Sequence, residues 1–128
     1  MKAKEVGVRG EDIAARYLKR RLYRILDRNY TVRPYELDIV AETPFTRVFV
    51  EVKTRRMLVG EASKFGSPLD AVDARKRYFV TRAAKAYTAL HPTQKKLRFD
   101  VIEVYLSRTE IPKILAVRHM KDAFRAYS

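Results

Sequence analysis

No cysteine occurs among the 128 residues. That excludes a disulfide framework, thiolate nucleophiles and cysteine-ligated zinc. No apolar run approaches the ~18 residues of a membrane-spanning helix. Met1-Lys2-Ala3-Lys4-Glu5 leads into polar sequence, without the apolar region of a secretory signal. The expected address is therefore the cytoplasm, with no membrane partner. No internal repeat, low-complexity segment or domain-splitting linker is found, and the length fits one domain over 1–128. Acidic residues are few, 15 against 28 Lys and Arg, so the formal net charge is +13. Such an excess favours a polyanionic partner. By charge alone, nucleic acid, an anionic membrane surface and acidic proteins all qualify.

What is present argues for a packed domain. The chain is 47% hydrophobic and 11% aromatic, too apolar for a disordered basic tail. A chain of this size buries about two thirds of the surface its unfolded form exposes. The basic excess is spread out: 1–53 carry 12 basic and 8 acidic side chains, 54–128 carry 16 and 7.

Apolar spacing predicts a helix over about 7–22, with Glu11, Ala14, Leu18 and Leu22 on one face. Strands follow at 23–32, 35–41 and 47–54, with Arg33-Pro34 ending the first and 42–46 closing an antiparallel hairpin. Residues 55–66 read as a mobile basic loop. Ser67, Pro68 and Asp70 signal the start of a helix running to about Leu90, which His91-Pro92 ends. Strands are expected at 97–106 and at 114–118, before a short tail. The order αβββαβ, with one further strand, predicts an α/β domain whose mixed central sheet is flanked by two helices.

Charged residues interrupt these patterns at three places, where local rules are expected to fail for functional reasons. In Val48-Phe49-Val50-Glu51-Val52-Lys53 the valines share one face, and Phe49, Glu51 and Lys53 the other. In Glu36-Leu37-Asp38-Ile39-Val40-Ala41, strict alternation puts Glu36, Asp38 and Val40 opposite Leu37, Ile39 and Ala41. A hairpin folding between Pro44 and Phe45 sets Asp38 against Glu51 and Glu36 against Lys53. Two carboxylates then converge beside a lysine, a donor set suited to a hard divalent cation. Glu11 and Lys76 lie on the apolar sides of the two helices. Each alone has an ordinary reading, as an exposed pair, a first-turn acid or a snorkelling lysine. Their ordered conjunction carries the signal. His91 and His119 have no evident partners, and His91 is read as structural. No stacking platform of the RRM type is visible.

This ordered set resembles the metal-dependent nuclease core of the PD-(D/E)XK superfamily. More narrowly, the chain resembles the YraN-like family of small bacterial proteins, which are distantly similar to archaeal Holliday-junction resolvases. The likeness runs from about Gly7 to Tyr127. It rests on Gly10-Glu11, Ile25-Leu26, Asn29, Glu36-Leu37-Asp38-Ile39-Val40, the string from Phe49 to Arg55, and Phe65-Gly66, Lys76 and Arg98-Phe99-Asp100-Val101. Two positions depart from the pattern: Leu22 and Tyr35 stand where the family usually has glycine.

The resemblance implies a restriction-endonuclease-like core and hydrolysis of DNA phosphodiester bonds, with selectivity for branched or single-strand-containing DNA. It implies Mg²⁺ or Mn²⁺ held by Asp38, Glu51 and the Val52 carbonyl, with Glu11 as an outer or second-metal ligand. Lys53 would position water or neutralise the transition state, and Glu36 is a further candidate acid. Lys53, Arg55, Arg56, Lys64 and Lys76 are the candidate phosphate contacts. A homodimer is expected by analogy with resolvases. The alternative is a nucleic-acid-binding module with this fold but no turnover.

Overall fold

A computed structural model of the chain describes residues 2–58 and 73–125. Its elements are α1 (Ala3–Arg20), β1 (Arg24–Val32), β2 (Tyr35–Glu42), β3 (Thr46–Met57), α2 (Ala74–Leu90), β4 (Lys96–Ser107) and β5 (Ile114–Phe124). The five strands form one sheet in the order β1-β2-β3-β4-β5. Only β3 and β4 run parallel; the other neighbours are antiparallel. A parallel pair needs a crossover, and α2 lies in it. The fold is the expected mixed sheet flanked by two helices. Among the described residues no helix is long and apolar enough to cross a membrane.

The two faces of β3 explain the layering. Val48 and Val50 pack with Ile13, Ala14 and Leu18 of α1. Phe49 points the other way, among Val80, Ala83, Ala84 and Tyr87 of α2. Each fully buried side chain of this size contributes about 1.5–3 kcal/mol. In α1, the buried Val6, Gly10, Ile13, Ala14 and Leu18 recur every three or four residues, which fixes one helical face on the sheet.

Connectivity sorts the chain into two ends. The start of α1, the β1–β2 turn, the final residues of β3 and β4 and the start of α2 lie at one end. The finish of α1, the β2–β3 turn, the finish of α2 and the first residues of β4 lie at the other. At that second end α1 closes with backbone bonds from Leu22 N–H to the Lys19 carbonyl and from Tyr23 N–H to the Leu18 carbonyl, both 3.0 Å. Leu22 adopts φ 67° there. Glycine reaches that conformation without strain, whereas this chain places a leucine there.

Several expectations need correction. Residues 55–57 belong to β3, which ends at Met57; only the loop's later part, 59–66, lies outside the described residues. The predicted helix start at Ser67 and Pro68 also lies outside them. The helix is not continuous from there, because Asp73 is extended (φ −78°, ψ 174°) and caps α2 by accepting the Lys76 N–H. The last strand runs to Phe124 instead of Arg118. Leu37 faces α2 together with Val40, whereas Ile39 and Ala41 face α1. The expected alternation in β2 therefore breaks at Asp38.

Candidate active site

That break places the site. The β2–β3 ladder pairs Glu42 with Arg47, Ala41 with Val48, Val40 with Phe49 and Ile39 with Val50. This is the register expected from the sequence, and it stops at Ile39. Toward the turn at Pro34, β2 continues to pair with β1, as far as Val32 and Tyr35, but no longer with β3. The β1–β2 ladder passes from Arg28–Ile39 to Tyr30–Leu37 across Asn29, a non-glycine residue at φ 50°. The sheet opens between β2 and β3, and Asp38 stands at the opening.

The Asp38 carboxylate takes over where the ladder lapses. Its Oδ2 accepts the Val52 N–H at 2.9 Å. Along an extended strand, the N–H and C=O of one residue point to the same side. The Val52 carbonyl therefore faces the same opening. Glu51, the adjacent residue on β3, projects to the α2 face and is buried. Its Oε1 lies 3.3 Å from Lys76 Nζ in the first turn of α2. Burial and then the nearby Asp38 charge push the Glu51 carboxyl up to about 7, against the pull of Lys76 and Lys53. Burial works against the Lys76 ammonium, but Glu51 and Asp38 raise its pKa nonetheless.

Helix α1 delivers Glu11 from the other face. A Cβ on Gly10 would fall 1.7 Å from Thr54 Oγ1, so only glycine lets α1 lie this close to β3. Burial raises the Glu11 pKa, Asp38 raises it further, and a side-chain bond from Asn29 opposes them. Glu36 is exposed opposite Thr31 and acts on Glu11 and Lys76 through its charge. Among the described residues no three of His, Asp and Glu stand close enough together to hold a metal ion. Asp38 acts on Glu51 through its charge, with Lys76 beside Glu51 and the acids Glu11 and Glu36 acting from around them.

The candidate phosphate contacts divide. Lys53 is half-buried on the Glu51 face, opposite Glu103 of β4. Arg55 donates to Glu103 at 3.2 Å, with its side chain 46% exposed. Arg56 donates to the carbonyls of Ser107 and Thr109 and so braces the β4–β5 turn. Lys64 lies outside the described residues.

Two buried acids escaped the sequence reading. Glu103 sits beside Lys53 and binds Arg55. Asp100 accepts two bonds from Arg98, one from the Asp122 N–H, and contacts His119 Nε2 at 2.7 Å. His119 reaches Tyr17 through Nδ1 at 3.2 Å, so it is partnered after all. Both acids interrupt apolar runs, the same signal that marked Glu51. His91 ends α2, with its ring against Tyr87, a structural place.

Residues 10–104 match the model of uncharacterised protein family UPF0102. The chain belongs to this family. It is the YraN family that the sequence motifs resemble. A UPF0102 protein of Chlorobium chlorochromatii is 42% identical over 94% of this chain and 91% of its own length. One from Alkaliphilus oremlandii is also 42% identical, over 94% and 98%. One from Geobacter sulfurreducens is 43% identical over 94% and 89%. The matched region includes Gly10, Glu11, Asn29, Asp38, Glu51, Lys53 and Lys76.

Proposed function

We propose that this UPF0102 protein is a divalent-metal-dependent endonuclease that hydrolyses DNA phosphodiester bonds. The observation that carries the reading is the Asp38–Glu51 pair at the opening of the sheet. Two carboxylates are held together there in a chain of net charge +13, and Glu51 is pushed up to about 7. A domain that merely coats DNA gains nothing from such a pair, which repels phosphate. With a cation bound, the pair becomes a phosphate site within a basic field.

The residues fit Mg²⁺ or Mn²⁺. Asp38 uses Oδ2 on Val52, and Glu51 uses Oε1 on Lys76; each keeps a second oxygen, and the Val52 carbonyl is a third donor. Mg²⁺ commonly takes only one or two carboxylates and completes its shell with water and phosphate oxygen. When bound, the metal lowers the pKa of water and offsets charge on the phosphate. Asp38 and Glu51 would hold it, with Glu11 as an additional acid. Lys53 places its ammonium on the Glu51 face, where developing phosphate charge needs compensation. Lys76 offsets part of the charge of the pair, 3.3 Å from Glu51, and its ammonium is a candidate phosphate contact. Arg55, steered by Glu103, adds a sequence-independent backbone contact. The preference for branched or single-strand-containing DNA rests on the family resemblance.

The test is incubation of labelled linear, nicked and four-way DNA with Mg²⁺ or Mn²⁺. Cleavage is expected in the wild type and lost in Asp38→Ala, Glu51→Ala and Lys53→Ala, with DNA binding retained. Cleavage persisting in all three variants overturns the assignment. Salt-steep binding without any cleavage assigns a silent binding module instead.

A further inference from the structure

A second feature lies on the opposite flank of α1 from Glu11. Glu11's neighbour Asp12 pairs with Arg28 of β1 at 2.7 Å, whereas the other flank of the helix faces β5, at the far edge of the sheet. Between α1 and β5 is a cavity of about 250 Å³. Ile13, Tyr17 and Val117 form its floor, and the exposed Arg16, Arg20 and Arg21 stand around it. No acid lines it. Arg16 and Arg20 take part in none of the ion pairs among the described residues. Three exposed guanidiniums with no acid in the lining make this surface locally positive and attractive to an anion.

The floor is held rigid from below. The Tyr17 hydroxyl meets His119 Nδ1 at 3.2 Å, and His119 Nε2 meets Asp100 Oδ2 at 2.7 Å. Asp100 is fully buried and is fixed in turn by Arg98 and the Asp122 N–H. Burial opposes its charge, yet His119 and Arg98 hold its carboxyl below the usual range. The buried network thus fixes the aromatic wall of a surface cavity. Arg21 lies over the Tyr17 ring, 3.9 Å from its centroid, so a flat guanidinium backed by the ring is presented beside the cavity.

Arginines that take phosphate oxygens by paired N–H groups, over an aromatic and aliphatic floor, match the two halves of a nucleotide. At about 250 Å³ the cavity falls below the ~300–1,000 Å³ of sites for drug-sized ligands, a scale that suits one ring. We propose that the α1–β5 pocket binds a nucleotide unit of an unpaired nucleic-acid strand, with Arg16 and Arg20 on phosphates and the base against Val117 and the Arg21 guanidinium that stacks on Tyr17. The site is separate from the Asp38–Glu51 opening. Arg20 is nine residues from Glu11 in the sequence, about 13 Å along the helix. It engages a strand outside the place of cleavage and does not depend on cleavage occurring.

The experiment measures binding of the full chain, in EDTA, to a labelled oligothymidine of about 12 nucleotides and to a blunt duplex. Arg16→Gln/Arg20→Gln is compared with the charge-matched Lys96→Gln/Lys121→Gln at exposed positions elsewhere. The pocket variant should bind the single strand about tenfold more weakly, with a log–log salt slope shallower by about 1.4, the value for two single-strand phosphate contacts. Its duplex affinity and the control variant should change less than about twofold. Ile114→Glu, which places a carboxylate in the lining, should reproduce the loss. Equal losses in pocket and control variants, or no loss in either, overturn the proposal. So does competition by dTMP or by oligoglutamate as effective as that by unlabelled oligothymidine, which assigns the pocket to a free nucleotide or to an acidic peptide. Because no cleavage is read, a failed nuclease assay leaves this result standing, and the reverse also holds.

Discussion

Two glutamates on neighbouring strands of one sheet are buried to the same degree and treated in opposite ways. Glu42, at the end of β2, is 6% exposed and Glu51, in β3, is 4% exposed. Glu42 is surrounded by Arg47 at 3.1 Å, Lys95 at 3.1 Å and Arg24 at 3.2 Å. Burial alone would raise its pKa, but Lys95 and Arg47 bring it below the usual carboxylate range. Glu51 has Lys76 at 3.3 Å and faces a second acid, Asp38, so its carboxyl rises to about 7. Burying a carboxylate without full compensation is costly. The chain has cations in excess and uses three of them to saturate Glu42, at the end remote from the sheet opening. At the opening it leaves charge unbalanced. The difference separates an acid that holds the fold from acids left with charge that the surrounding cations do not balance.

Substitutions that remove each charge should move stability in opposite directions. Glu42→Gln leaves Arg47 buried without its anion and should destabilise by about 3 kcal/mol, as broken buried pairs do, measured by urea denaturation. Because the folded-state pKa of Glu42 is lowered, its contribution is present above its unfolded value of 4.5 and is lost as pH falls further. Glu51→Gln should stabilise the metal-free protein by about 2 kcal/mol at pH 8. Its folded-state pKa is raised from 4.5 to about 7, so the folded state binds the extra proton between those values. Wild-type stability should therefore fall as pH rises through that window, and the Gln variant should lack this fall. A loss of stability in Glu51→Gln would erase the contrast.

Smaller effects sharpen the comparison. Gly10→Ala would drive a methyl group into Thr54. It should cost about 1–2 kcal/mol, since overpacking outweighs alanine's higher helix propensity. It should also lower any cleavage, because the face of α1 that carries Glu11 must back away. At the opposite end, Leu22→Gly should stabilise by about 0.5–1 kcal/mol. It relieves a left-handed leucine and loses no burial, since Leu22 is 87% exposed. A thermal melt of each variant checks the sign.

Much of the site was legible in the sequence because strand alternation is strict in β3. Glu51 and Lys53 fell on the face opposite Val48 and Val50, and the hairpin register followed from the position of Pro44 and Phe45. The face of Leu37 was not legible. It depends on the left-handed Asn29 in the neighbouring strand, which no pattern within β2 announces. Lys76 could be placed on the apolar side of its helix, but its contact with Glu51 depends on how α2 lies across the sheet. Glu103, Asp100 and His119 were missed for a similar reason. Apart from Arg98, two residues before Asp100 on the same strand, their partners come from β3, β5 and α1, at sequence separations that spacing rules do not reach. The cap at Asp73 was not legible, because Asp73 lacks an acid three residues on, whereas Ser67 and Pro68, outside the described residues, offer the more recognisable capping chemistry.

The central claim is that Asp38 and Glu51 are kept short of positive charge so that a divalent metal can supply it. Titration calorimetry of Mn²⁺ into the wild type, Glu51→Gln and Glu42→Gln at pH 8 tests this most directly. One binding event is predicted in the wild type, lost in Glu51→Gln and retained in folded Glu42→Gln. Undiminished Mn²⁺ binding in Glu51→Gln, or no binding in the wild type, would contradict it.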